Sequence, residues 1–274
     1  MPAHHPERIV CLTEETTETL YLLGEERRIV GISGYTVRPP RARKEKPRVS
    51  AFLSAKTEKI LALKPDLVLG FSDLQADISR DLVKAGLNVV IFNQRSVDEI
   101  LNMILVLSSM VGATDKGLQL LKRLEGNLSH IKDAGKAFPR KPRVYFEEWD
   151  EPMISGIRWV SELVEIAGGQ DVFKQRSFSQ SASGRIVADG GEVVRSKPDV
   201  ILGSWCGKKF RPEKVAARPG WDAIPAVKNG QLHEIKSAEI LQPGPAALTD
   251  GVGRIHEILK ASLCPAPRTR PPGA

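Results

Sequence analysis

The sequence predicts an α/β protein of two similar lobes with mostly parallel sheets, joined by a long linker helix, with a ligand cleft between the lobes. Three observations predict it. Lys64-Pro65-Asp66-Leu67-Val68-Leu69-Gly70 and Lys197-Pro198-Asp199-Val200-Ile201-Leu202-Gly203 nearly repeat one another, about half the chain apart. Short apolar runs alternate with amphipathic helical stretches, as in parallel strands joined by crossover helices. Between the two halves, residues 97–136 carry apolar side chains at helical spacing. An interface between two α/β lobes is a natural place to hold a small molecule.

The first half opens with a strand, Ile9–Leu12. Thr13 follows as an N-cap, with Glu14 and Glu15 in the first turn, where the helix dipole favours carboxylates. That helix carries Leu20, Leu22 and Leu23 and stops at Gly24. A strand over Ile29–Ser33 leads to Tyr35, and a proline-rich loop runs to Val49. Lys56–Leu63 is helical, Leu67–Gly70 a strand, Ala76–Ala85 a helix closed by Gly86, and Val89–Phe92 a strand.

Apolar positions at Ile100, Leu101, Ile104, Leu105 and Leu107 predict a helix to about Val111. Those at Leu118, Leu120, Leu121, Leu124, Leu128 and Ile131 predict a second over Asp115–Ala134, about 30 Å long at 1.5 Å per residue. The second half begins with the strand Arg143–Phe146. Helices follow at Trp159–Ala167 and Gly191–Ser196, then strands at Val200–Gly203 and Leu232–Ile235, and a closing helix over Ala246–Leu263. The expected organisation is an N-terminal lobe over 7–113, a linker helix over 114–138, a C-terminal lobe over 139–264 and a disordered tail over 265–274.

Composition narrows the function. The chain has 274 residues, 41% apolar and 27% charged, with 40 Lys+Arg against 33 Asp+Glu. That charge is far from the dense basic stripe of a nucleic-acid binder, so no nucleic-acid partner is expected. The basic run from Arg38 to Arg48 has no interleaved aromatics and three prolines, which suits a solvated loop; an anion contact is the other reading. No apolar run reaches membrane-spanning length. Three unpaired cysteines imply no disulfide framework and a reducing compartment. The first residues carry no leader, which reads as cytoplasmic, or as periplasmic or cell-surface if a leader is missing. Walker, dinucleotide and zinc spacings are absent, so neither cofactor nor metal is expected.

The order of short segments resembles the helix-linked class of ABC-transporter substrate-binding proteins. Carrying it are Arg8-Ile9-Val10-Cys11-Leu12-Thr13, Val30-Gly31-Ile32-Ser33-Gly34-Tyr35 with Pro39-Pro40, and Glu58 to Leu69. Gly86-Leu87-Asn88-Val89, the long helix, Gly168-Gly169-Gln170-Asp171-Val172-Phe173 and Lys197 to Leu202 complete the set. Within that class the likeness is to the cobalamin binders, through Ser33-Gly34-Tyr35 with its prolines and through Ser155-Gly156. The resemblance implies a non-catalytic protein holding a corrinoid-like ligand or metal chelate between its lobes. It also implies docking on an ABC-transporter permease through one acidic residue per lobe. Glu58 stands six residues before Lys64; the matching position in the second half is Gly191, and the carboxylate is the next residue, Glu192. One residue on a helix rotates a group by about 100°.

Ligands of parallel sheets bind beyond the strands' carboxyl ends. This nominates Thr13, Glu14, Tyr35, Phe52, Phe71, Asp73 and Gln94 from the first half. The second half contributes Glu147, Glu148, Trp149, Trp159, Trp205, Cys206, Lys208 and the late-loop Leu241. The set expected to bind ligand is Tyr35, Phe52, Phe71, Asp73, Gln94, Glu148, Trp149, Trp159, Trp205, Cys206 and Leu241. Aromatic rings there suit a broad, partly apolar ligand. Glu147 to Pro152 reads as a strand-end loop, either a solvated lip or a set of inward acceptors. Lysines beside Cys206 would lower its thiol pKa, whereas a small buried residue is the plainer reading. Two other functions fit the sequence: a cytosolic corrinoid or tetrapyrrole chaperone without transporter docking, and an enzyme using Glu147, Glu148 and Cys206.

Overall fold

The structure, a computed structural model, describes residues 5–263. The chain divides into two compact units: residues up to Leu128 together with Ala238–Asp250, and Ser129–Ser237 together with residues from Gly251 onward. The expected tail over 265–274 lies outside the described residues, as does Cys264.

The first unit alternates β1 (Ile9–Cys11), α1 (Glu14–Leu22), β2 (Ile29–Ser33), α2 (Ala42–Glu45), β3 (Arg48–Ser50), α3 (Thr57–Ala62), β4 (Leu67–Phe71), α4 (Ala76–Lys84), β5 (Val89–Phe92) and α5 (Val97–Met110). Its sheet runs β3-β2-β1-β4-β5 with every pair parallel. Val10, Leu12, Ile60, Val68 and Leu82 close its core. Sheets covered on both faces need continuous apolar strands rather than alternating ones, which is how β1 and β4 read. Ser96 and Glu99 start α5 with a reciprocal capping box.

The chain passes from the first unit to the second within one continuous helix, α6 (Thr114–Lys136). Gly117, Leu120, Leu124, Leu128, Ile131 and Gly135 form its buried stripe at three- and four-residue spacing.

The second unit contains β6 (Arg143–Asp150), β7 (Met153–Ser155), α7 (Arg158–Ile166), β8 (Gln170–Asp171), α8 (Lys174–Ser177), α9 (Gly190–Ser196), β9 (Val200–Gly203), α10 (Pro212–Ala216), α11 (Pro225–Lys228), β10 (Leu232–Glu234), the start of α12 (Ser237–Ile240), and α13 (Val252–Leu263). Its sheet runs β10-β9-β6-β7, parallel except for the β6–β7 hairpin, with β8 beside the start of β6.

The sequence repeat is a structural one. Lys64 and Lys197 both adopt left-handed backbone, at φ 46° and 45°. Proline after them disfavours the right-handed helical region, which ends the preceding helix. The aspartate that follows then fixes the neighbouring strand. Arg8 N–H donates to Asp66 Oδ1 at 3.0 Å, and Asp66 N–H returns to Arg8 O at 3.0 Å. In the second unit Arg143 N–H donates to Asp199 Oδ2 at 2.8 Å, and Asp199 N–H to Arg143 O at 2.8 Å. One Lys-Pro-Asp turn sets the register of β1 against β4, the other that of β6 against β9.

Four expectations are corrected. The stretch Glu147 to Pro152 is not a loop: β6 continues to Asp150 and turns straight into β7. The basic run Arg38–Arg48 contains α2 and leads into the edge strand β3. The closing helix starts at Val252, after a π-helical turn over Ala247–Gly251. The lobe expected over 139–264 loses Ala238–Asp250 to the first unit, because first-unit side chains satisfy that segment's backbone. Gln94 Nε2 donates to Pro243 O at 3.0 Å, Ala246 N–H to Glu18 Oε2 at 3.1 Å, and Asn127 Nδ2 to Leu248 O at 2.8 Å.

Candidate functional site

In the first unit the strands' carboxyl ends meet the N-terminal half of α1. This helix is polar in sequence, yet every residue from Glu14 to Tyr21 is buried. Its threonines satisfy themselves: Thr17 Oγ1 donates to Thr13 O at 3.1 Å and Thr19 Oγ1 to Glu15 O at 2.7 Å. Its three glutamates cannot. Glu18 accepts from Arg38 Nε at 2.9 Å and from Ala246 N–H; burial still raises its pKa, with Arg38 pulling the other way. Glu14 Oε2 accepts from Val37 N–H at 2.6 Å, while its Oε1 has no partner among the described residues.

Glu15 is 1% exposed, and among the described residues neither of its oxygens has a hydrogen-bond partner of normal geometry. Burial pushes Glu14 up to about 8, against the opposing Val37 N–H and with Glu18 and Glu15 adding to the rise. It pushes Glu15 up to about 7, with the Thr13 hydroxyl opposing. Gly244 packs directly over Glu15, where a Cβ would lie 2.5 Å from the Glu15 Cβ.

Further buried polar atoms without a partner among the described residues follow the same strands: the hydroxyls of Thr36 after β2 and Ser50 closing β3, and the acceptor Gln94 Oε1 after β5. Tyr35, Leu53 and Leu74, on loops after β2, β3 and β4, are 62%, 67% and 57% exposed. The first unit thus offers buried polar atoms without partners among the described residues and three exposed apolar side chains on the loops of its strand ends.

The second unit has carboxylates at the corresponding place, and Glu147, Glu148 and Asp150 are all matched. Glu147 is fully buried and accepts from Arg218 at 2.5 and 2.9 Å, from Tyr145 Oη at 3.0 Å and from Trp205 Nε1 at 3.1 Å. Glu148 takes both terminal nitrogens of Arg185, at 2.5 and 3.1 Å. Asp150 pairs with Lys208, whose ammonium also lies 4.2 Å from the Trp149 ring centroid and 5.3 Å from that of Trp205.

The nominated residues separate accordingly. Tyr35 is exposed, Phe52 and Leu241 are half-buried, and Gln94 is buried with one oxygen unmatched. Phe71 is buried beneath the Arg95 guanidinium, which also pairs with the exposed Asp73 at 3.1 Å. Trp149 is half-buried, its Nε1 donating to Glu151 O at 2.9 Å. The expected aromatic platform is not what the other two tryptophans form. Trp159 is buried on α7, and Trp205 belongs to the core with Tyr145, Phe210 and Trp221.

Cys206 is exposed, but its thiol is pushed up by partial desolvation and by Glu148, not lowered by the lysines. Glu147, Glu148 and Cys206 therefore supply no activated nucleophile with a free base. Glu58 is exposed, as docking requires; Glu192 is held by Arg176 at 2.6 Å. A groove of about 370 Å³ borders Asp171, Phe173, Lys174 and Arg176, beside the amino end of β6 rather than its carboxyl end. Lys174 and Arg176 are there paired with Glu165 and Glu192.

Glu15, Glu18, Thr36, Ser50, Leu53 and Leu74 were not among the nominated residues. A signal for the glutamates existed: residues 13–19 are wholly polar, yet they sit between a buried strand and Leu20 with no turn residue to carry them to the surface.

Two α/β units, each with mostly parallel strands, joined by one long helix, define a substrate-binding protein of the helix-linked class. The periplasmic binding protein family's sequence profile matches residues 9–239, and the chain belongs to that family. It is similar to an uncharacterized ABC transporter substrate-binding lipoprotein, YvrC, of Bacillus subtilis strain 168: 26% identity over 258 residues, 92% of this chain and 79% of that protein. It is also similar to a vitamin B12-binding protein of Vibrio vulnificus strain YJ016, 25% identical over 249 residues, 88% of this chain and 86% of that one. Among solved structures, S. aureus IsdE complexed with heme has the same fold, with a TM-score of 0.79 at 20% identity over 94% of this chain and 99% of that one. Among the described residues no helix is long and apolar enough to cross a membrane.

Proposed function

We propose that this chain binds a corrinoid, without chemically altering it, and delivers it to an ABC-transporter permease. The observation that carries the ligand class is the match to a vitamin B12-binding protein along most of both chains. The heme-bound relative supports only the fold. The apolar rim of Tyr35, Leu53 and Leu74 suits a macrocycle edge, since a broad apolar ligand surface has to be met by exposed apolar side chains. Permease docking uses the exposed Glu58 face; on the second unit Glu192 is already engaged by Arg176. The compartment that goes with this role lies outside the cytoplasmic membrane, and fractionation of cells expressing the native gene tests it. Family membership offers no support for the cytosolic chaperone.

Calorimetric titration with cyanocobalamin and with hemin tests the ligand class. Saturable heat with cyanocobalamin and none with hemin is expected. Heat with hemin alone would replace the corrinoid by a heme.

A further inference from the structure

We propose that Glu14, backed by Glu15, accepts hydrogen bonds from the ligand, so that the site selects amide-bearing macrocycles over carboxylate-bearing ones. This inference rests on the corrinoid reading and assigns the chemistry by which the site tells ligands apart. Glu14 is 4% exposed, with Oε2 fixed by the Val37 N–H and Oε1 left without a partner. Glu15 lies behind it under Gly244 with no hydrogen bond of normal geometry. Arg38, whose charge acts on Glu14, is committed to Glu18 at 2.9 Å and to Asp250 at 2.7 Å. A buried carboxylate without a cation is costly unless something donates to it.

Two neutral side chains point the same way, independently of the acids. Thr36 Oγ1, one residue before the Val37 amide that holds Glu14, is fully buried and unpartnered. Gln94 is oriented by its Nε2 bond to Pro243 O, next to Gly244, which leaves its Oε1 buried as a bare acceptor. The wall thus presents Glu14 Oε1, Gln94 Oε1 and the Thr36 hydroxyl with no partner among the described residues; with Glu14 ionised, the first two are acceptors, and the third can accept or donate. Primary amides supply two N–H groups each, and the Thr36 hydroxyl can donate in turn to an amide carbonyl. A carboxylate placed there would bring like charge toward Glu14 and Glu15 and set acceptor against acceptor.

The test titrates the full chain with dicyanocobinamide, whose side chains are amides, and with dicyanocobyrinic acid, whose side chains are carboxylates, at pH 8.5 where Glu14 and Glu15 are largely ionised. The expected preference for the amide form is about 10-fold or more, equivalent to about 1.4 kcal/mol. Glu14→Gln should narrow that preference by improving cobyrinic acid binding, with a thermal melt reporting that the variant folds. The wild-type ligand pair stands as a test without any variant. Equal affinity for the two corrinoids, or a preference untouched in a folded E14Q protein, overturns the inference and leaves corrinoid binding standing. Binding of neither corrinoid, nor of cyanocobalamin, overturns the corrinoid reading and this inference with it.

Discussion

The two units solve the same problem, buried carboxylates at the carboxyl ends of a parallel sheet, in opposite ways. In the second, Glu147 is saturated by Arg218, Tyr145 and Trp205, and Glu148 by Arg185. In the first, Glu14 has one backbone amide, that of Val37, Glu15 has no hydrogen bond of normal geometry, and neither has an ion pair among the described residues. A saturated carboxylate is a strut: Glu147 orients Trp205, Glu148 holds the Arg185 segment between α8 and α9 against β6, and neither has anything left to offer a ligand. An unsaturated one is a standing demand for a donor. On the corrinoid reading proposed above, recognition falls to the first unit and rigidity to the second, although the second holds the more conspicuous aromatic and charged residues.

The strut is the easier half to break. Arg218→Met leaves Glu147 buried beside Tyr145 and Trp205 without its countercharge, and should cost about 3–5 kcal/mol, read as a lowered urea midpoint. Adding Glu147→Gln to that variant should restore part of the loss, since the stranded charge goes with it. If Arg218→Met melts like the wild type, Glu147 is not a strut and the contrast between units fails.

The opposite sign is expected in the first unit. The carboxyls of Glu14 and Glu15 have folded pKa values of about 8 and about 7, above the ordinary 4.5. Each therefore binds its proton more tightly folded than unfolded. Their contribution to stability is complete below about pH 4.5 and is lost as pH rises through about 7 to 8. The Glu15→Gln variant keeps the shape and removes the ionisation. It should be more stable than the wild type by about 1–3 kcal/mol at pH 8.5 and no more stable at pH 4.5, measured by urea unfolding across that range. A loss of stability at pH 8.5 would show that Glu15 has a partner and that the two units do not differ.

The contrast was only half legible in the sequence. Strands β2 and β9 lie where the apolar runs Ile29–Ser33 and Val200–Gly203 place them, because a strand in a sheet covered on both faces is apolar throughout, and the half-buried edge strand β5 lies where Val89–Phe92 places it. The same logic hid the β6–β7 hairpin. Glu147-Glu148-Trp149-Asp150 looks like a solvated lip until Arg218, 71 residues later, is seen to neutralise its first member. Ala238–Asp250 likewise reads in sequence as part of the second lobe, because the bonds to Glu18 and Gln94 that tie it to the first unit are purely tertiary. At the site, the strand-end rule reached Glu14 and Gln94, while Glu15 and Glu18 passed as ordinary first-turn acids. Large rings drew attention to Trp159 and Trp205, which the core absorbs because burying indole area stabilises the fold whether or not a ligand is present.

Cys206 gives the smallest effect and a direct readout of the second unit's charges. Its thiol is raised by partial desolvation and then by Glu148, so it should react slowly with a disulfide reagent at neutral pH and faster as pH rises. Replacing it by serine should change stability by no more than about 0.5 kcal/mol, as at most surface positions. The sharper variant is Glu148→Gln, which removes the nearby negative charge and should move the thiol's reaction profile to lower pH. Arg185 would then lose its partner, so the shift must be read in protein whose far-ultraviolet dichroism and urea midpoint show an intact fold. A profile that does not move means that Arg185 already cancels the Glu148 charge at the sulphur, and that the second unit's carboxylates are even more completely spent than their hydrogen bonds imply.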